Sequence, residues 1–155
     1  MNKKTRGTNV SFLFASMLFL SGCATAPAPR TMLDIPDVRQ STPYTCGVAS
    51  ALAILGYYGI EAREDSLAER FGTTEESGTS PQQIVAGFVS YGLEAILKVD
   101  TSFEDLSANL RDGIPTMVAI QAWLDPYPAV DWGANWEDGH WVIVIGMDYR
   151  NIYFE

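Results

Sequence analysis

The chain has 155 residues and a formal net charge of −9, with 47% hydrophobic and 12% aromatic residues. That is enough apolar side chain for one domain with one packed core, and it excludes an intrinsically disordered chain. The acidic excess, larger still once the basic amino terminus is set aside, argues against nucleic acid or an anionic bilayer surface as the main partner.

The amino terminus differs from the rest. Lys3, Lys4 and Arg6 form a basic region, Val10 to Leu20 is an apolar run too short for a resident membrane helix, and the run ends in Leu20-Ser21-Gly22-Cys23. This order resembles the signal and lipobox of bacterial lipoproteins. The resemblance implies a signal peptide over 1–22, a lipid-bearing Cys23 and a bacterial envelope location; Ala24 after the cysteine further implies the outer membrane, facing the periplasm. The alternative is an ordinary secretory signal with a chance cysteine. Residues 23–31, with Pro27 and Pro29, read as a tether with little to bury. A domain is expected over 32–155.

Leu33, Ile35 and Val38 suit a short strand or extended lead-in, with Pro36 limiting its pairing. From Gly47 to Tyr58 the apolar residues fall at helical spacing and nearly encircle the helix, so it should be central. Glu64 to Phe71 predicts a second helix, stopped by Gly72. Ser80-Pro81-Gln82-Gln83 is a helix start with an N-cap, a proline at the first position and a capping-box glutamine, and that helix runs to Tyr91. Leu93 to Val99 alternates as a strand does. Ser102 caps a helix over Phe103 to Asp112. Thr116 to Trp123 reads as a central strand, Leu124 to Gly139 as a long loop, and His140 to Met147 as a strand buried on both faces. A turn over Asp148 to Asn151 precedes a returning strand from Ile152. The chain stops within that strand, which predicts a further segment. Helices first and strands later indicate α+β, a sheet packed on the first helix.

The chemistry centres on Cys46. If Cys23 carries lipid, Cys46 is an unpaired thiol in an oxidising compartment, so it is either buried and inert or kept for chemistry. It stands where a polar loop becomes an apolar helix, and a helix N-terminus favours a thiolate. The chain's one histidine, His140, begins the most hydrophobic strand, just after a loop, which would both fix and expose a base. The Cys46 N–H and the Gln40 amide can donate to an oxyanion, and Gly47 leaves room for a substrate backbone. Each residue has a plainer reading: His140 as a structural hydrogen-bonding group, Gln40 as a surface glutamine. Trp123 and Trp141 read as core and loop packing, whereas Trp132 and Trp136 could flank a cleft; Glu137 and Asp138 read as solvated loop acids. No ligand spacing supports a metal site, no glycine-rich loop supports a nucleotide, and no cofactor is expected.

Val38-Arg39-Gln40, Thr45-Cys46-Gly47-Val48-Ala49-Ser50 and Gly139-His140-Trp141-Val142-Ile143-Val144-Ile145-Gly146 together resemble the papain-like bacteriocin-processing peptidase family. The resemblance implies a papain-like α+β fold, with the cysteine at the N-terminus of a central helix packed on an antiparallel sheet. It further implies a cysteine endopeptidase acting on peptide or protein substrates, with Cys46 as nucleophile, His140 as general base and Gln40 as oxyanion donor. Two departures stand out. The family's orienting aspartate would fall at or past residue 155; Asp148 lies in the expected turn and Glu155 is the nearest acid. No transporter accompanies the domain, so double-glycine specificity does not carry over. The alternative is a peptidase-like domain that binds peptides or an envelope protein without turnover.

Overall fold

The computed structural model describes residues 32–123 and 139–155. The expectations for 1–31, among them the signal, Cys23 and the tether, and for 124–138, with Trp132, Trp136, Glu137 and Asp138, fall outside the described residues. Among the described residues four helices come first: α1 (Cys46–Tyr57), α2 (Glu64–Phe71), α3 (Pro81–Ser90) and α4 (Phe103–Arg111). Three strands follow, β1 (Thr116–Gln121), β2 (Gly139–Met147) and β3 (Ile152–Phe154), in an antiparallel sheet of order β1-β2-β3. The expected α+β order and the helix-on-sheet packing are both present.

Helix α1 is central because it is apolar almost all round. Val48, Ala51 and Leu55 are fully buried, and Gly47, Ala49, Ser50, Ala53 and Ile54 are buried beside them. Its many small residues let neighbouring elements approach closely; burial of Leu55 alone is worth about 2 kcal/mol. Helix α2 carries Glu64 and Asp65 in its first turn and Arg70 in its last, charges that suit the helix dipole, and it ends at Gly72 in the left-handed conformation. At α3, the Ser80 hydroxyl accepts from the Gln83 N–H at 3.3 Å, and Gln83 Oε1 accepts from the Ser80 N–H at 2.8 Å. The same Gln83 donates to the Gly72 carbonyl at 2.8 Å, joining the end of α2 to the start of α3.

Strand β2 holds the sheet together. Its consecutive residues Val142, Ile143 and Val144 are all buried, as a strand covered on both faces requires. Its partner β1 reaches Val144. Beyond that point the lead-in takes over, with Leu33 donating to the Ile145 carbonyl at 2.8 Å and Met32 bridging Gly146. The lead-in is therefore extended chain with an isolated bridge.

The strand expected over Leu93–Val99 does not form. Leu93 and Ala95 pack toward the core, but Ile96 and Val99 are about four-fifths exposed. Alternation supplies a face, whereas a strand also needs a neighbouring backbone to complete its ladder. The segment instead borders an apolar groove of about 580 Å³ shared with Ile84, Phe88 and Met117.

Gly87 sets the spacing of α2 and α3. A Cβ there would lie 2.0 Å from Cε1 of Phe71, whose ring packs edge-on to Phe88 at 6.1 Å. Gly87→Ala should therefore destabilise the fold by about 1–3 kcal/mol through overpacking. Urea unfolding should show this, and Phe71→Leu in the same chain should recover part of the loss. Two-state curves that superimpose for wild type and Gly87→Ala would refute the packing described.

Candidate active site

Cys46 is the first residue of α1 and is half-buried, with a free thiol. The residue before it, Thr45, is the N-cap by position but makes no side-chain capping bond. Its hydroxyl turns back to the preceding loop, accepting from the Thr42 N–H at 3.2 Å and donating to the Thr42 carbonyl at 3.2 Å. The first N–H groups of α1 are thus not spent on a side-chain cap. Such groups, with the helix dipole behind them, stabilise negative charge at the cysteine.

The loop before Cys46 is pinned at two places. Gln40 folds over it, its Nε2 donating to the Thr42 carbonyl at 2.7 Å. The Ser41 N–H donates to Glu64 Oε1 of α2 at 3.0 Å. Burial pushes the Glu64 carboxyl up, but bonds from the Ser41 N–H and the Thr45 and Ser41 side chains outweigh it and hold the group below its ordinary value. A cleft of about 610 Å³ opens on this side of the loop, with Thr42, Tyr44, Arg63, Glu64 and Glu69 among its walls.

His140 is the second residue of β2, opposite Ile120 of β1. It is half-buried, and burial pushes its pKa below the ordinary 6.5, so the ring is neutral at pH 7. A neutral imidazole can accept a proton.

The segments carrying Cys46 and His140 meet through their next neighbours. A Cβ on Gly47 would lie 3.0 Å from Cδ1 of Trp141 and 3.1 Å from Cβ of Thr79. Ser50 of α1 donates to the Trp141 carbonyl at 3.3 Å, and the Trp141 indole N–H donates to the Thr79 carbonyl at 3.1 Å. Two readings are corrected here. The space beside Gly47 is filled by Trp141 and Thr79, so it is not kept open for a substrate backbone. Trp123, expected to serve core and loop packing, is 76% exposed and outside the core; its ring lies against His140 at 4.7 Å and 67°. Its φ of 56° is left-handed, a conformation that costs a bulky residue on the order of 1 kcal/mol.

The two acids considered as orienting groups lie elsewhere. Asp148 closes its own turn: its carboxylate accepts from the Arg150 N–H at 2.7 Å, the Tyr153 hydroxyl at 2.7 Å and the Asn151 N–H at 2.8 Å, which together hold it at about 2. Glu155 exchanges backbone hydrogen bonds with Ile143 at 2.8 and 2.9 Å. Cross-strand partners share a face and successive residues alternate, so Glu155 lies on the opposite face from His140. Among the described residues no cluster of three or more His, Cys, Asp or Glu side chains is placed to hold a metal ion. Ser50, Thr79 and the placement of Trp123 were not found by sequence reasoning. Ser50 alone had a signal, a polar residue on an otherwise apolar helix.

Comparison with known proteins follows the same lines. Two uncharacterised proteins, from Methanothermobacter marburgensis and Methanothermobacter thermautotrophicus, are each 30% identical over 115 residues, covering 74% of this chain. The match spans 66% of their own length, just under two thirds. A solved structure assigned as a C39-like peptidase from Bacillus anthracis superimposes with a TM-score of 0.60 at 18% identity, covering 80% of each chain. A double-glycine motif protease from an AMS/PCAT transporter, solved with its leader peptide, gives 0.51 at 17% identity, covering 81% of this chain and 75% of that one. At these identities the two structures establish the fold. A model of the Peptidase_C39 like family matches residues 32–155, and the chain belongs to that family.

Proposed function

We infer that the protein is a lipid-anchored envelope cysteine peptidase that hydrolyses peptide bonds through Cys46 and His140. The observation that carries this reading is the packing of Gly47 on Trp141, which joins the helix start bearing Cys46 to the strand start bearing His140. In this reading neutral His140 takes the Cys46 proton as sulfur attacks the scissile carbonyl. The Cys46 N–H and the Gln40 amide, which keeps a second N–H beyond the one given to Thr42, stabilise the oxyanion. His140 then protonates the leaving amine, and water, activated in turn by His140, releases the acyl group from sulfur. The substrate is a peptide; the leader peptide bound by the transporter protease belongs to that protein.

A second reading is a peptide-binding domain without turnover. It is favoured by the placement of Asp148 in its own turn and of Glu155 on the face away from His140. The two readings separate on one variant. Cys46→Ala should abolish cleavage of a peptide library while leaving the circular dichroism spectrum unchanged, and Gln40→Ala should lower kcat by about 10²–10³. A Cys46→Ala protein that restores the phenotype of a deletion strain would favour binding.

The acid limb of the pH profile follows from His140. Its folded pKa lies below 6.5, so the neutral base persists below that pH and is lost as pH falls through the lowered value. The expected kcat/KM falls on the acid side with a midpoint below pH 6.5, and the decline approaches tenfold per pH unit beneath that midpoint. A limb centred above pH 7 would contradict the burial described.

The anchor is tested separately. With Leu20-Ser21-Gly22-Cys23 as lipobox, Cys23→Ser should abolish labelling by an alkyne fatty acid and move the protein from the membrane to another fraction. Unchanged labelling in Cys23→Ser would remove the lipoprotein reading.

A further inference from the structure

We propose that Trp123 is the specificity-determining residue for the leaving-group side of the substrate, recognising an apolar or aromatic side chain on the residue just after the scissile bond. This deepens, and rests on, the reading of Cys46 and His140 as nucleophile and base. Three observations carry it. Trp123 is 76% exposed, unusual for the largest apolar side chain. Its backbone is held at φ 56°, a strained state that a bulky residue keeps only where its surroundings impose it. Its ring rests on His140, centroids 4.7 Å apart at 67°, so the side chain is aimed at the base.

The chemistry fixes which part of the substrate passes there. A general base that has taken the thiol proton must return it to the departing amine nitrogen. The residue bearing that nitrogen therefore lies beside His140 and meets the indole next to it. An exposed indole offers a flat apolar surface with little side-chain entropy to lose, which suits ring and aliphatic contacts.

Aminolysis of the acyl-enzyme isolates this side of the site. The full chain in detergent is acylated with N-acetylglycine p-nitrophenyl ester, releasing p-nitrophenol as the Cys46 thioester forms. Phenylalaninamide and glycinamide then compete with water. The amine nitrogen attacks the thioester carbonyl, the C–S bond breaks, and His140 passes the amine proton to the departing sulfur. The dipeptide amides are quantified by mass spectrometry. Wild type should favour phenylalaninamide by roughly tenfold. Trp123→Ala should bring the ratio close to one, and Trp123→Phe should keep most of it. The burst of p-nitrophenol is read first. A burst no larger than that of Cys46→Ala overturns the peptidase reading and this inference with it. A normal burst with no preference in wild type, with a preference that survives Trp123→Ala, or with equal loss in Trp123→Phe, overturns the inference alone. Matching circular dichroism spectra of the variants, expected for so exposed a side chain, secure the comparison.

Discussion

The contact on which the site depends is that of Trp141 with α1. The indole fills the space that Gly47 leaves, its N–H is satisfied by Thr79, and its carbonyl takes the Ser50 hydroxyl. Each bond contributes only about 1 kcal/mol net, but an unmatched partner in this half-buried seam would cost about 1–3 kcal/mol. The seam is therefore selective as well as stabilising: a rotation of α1 or a shift of β2 would strand a donor. Cys46 and His140 each precede a member of this contact, so the seam joins their two segments, while alternation along β2 turns the His140 side chain to the face opposite Trp141.

Around that seam the elements divide by how local their determinants are. The capping boxes at Ser80 and Ser102, the left-handed Gly72 and the apolar run of β2 are written in consecutive residues, so helix starts, stops and the central strand are readable from the chain alone. Segment 93–99 misleads for the complementary reason. Its alternation is real, but pairing depends on residues distant in sequence, and no ladder forms. The same holds for the site. Cys46 at a helix start and His140 at a strand start are legible, because the flanking periodicity marks both positions. Thr79 meets Trp141 through its backbone carbonyl, which leaves no trace in residue type, and its side chain meets Gly47 across a long-range contact that the sequence does not mark. Trp123 could not be placed, since a positive φ at tryptophan has no sequence signal.

The loop before Cys46 shows how one residue can give up its ordinary role. Thr45 is well placed to cap α1, and a capping hydroxyl there would be worth about 1 kcal/mol to the helix. Its hydroxyl turns to Thr42 and Glu64 instead, while Gln40 and the Ser41 N–H bond to Glu64 secure the rest of the loop. Stability is thereby drawn from the loop rather than from the helix end, and the α1 N–H groups are left without a side-chain cap. For a helix that bears a thiol at its first residue, that exchange favours developing negative charge.

The orientation of the imidazole is the harder constraint. A carboxylate beside a histidine fixes both the plane of the ring and which nitrogen carries the proton. Parity along β2 puts Glu155 on the wrong face, and Asp148 is held by donors from Arg150, Asn151 and Tyr153, so neither of these carboxylates does this for His140. The Trp123 ring supplies part of the function. A ring contact at 67° restricts the plane of the imidazole, but an indole cannot choose its tautomer. Burial adds a second effect by keeping the ring neutral. Plane and protonation state are thus set by packing, whereas the tautomer requires a hydrogen-bond acceptor on the His140 face of the sheet.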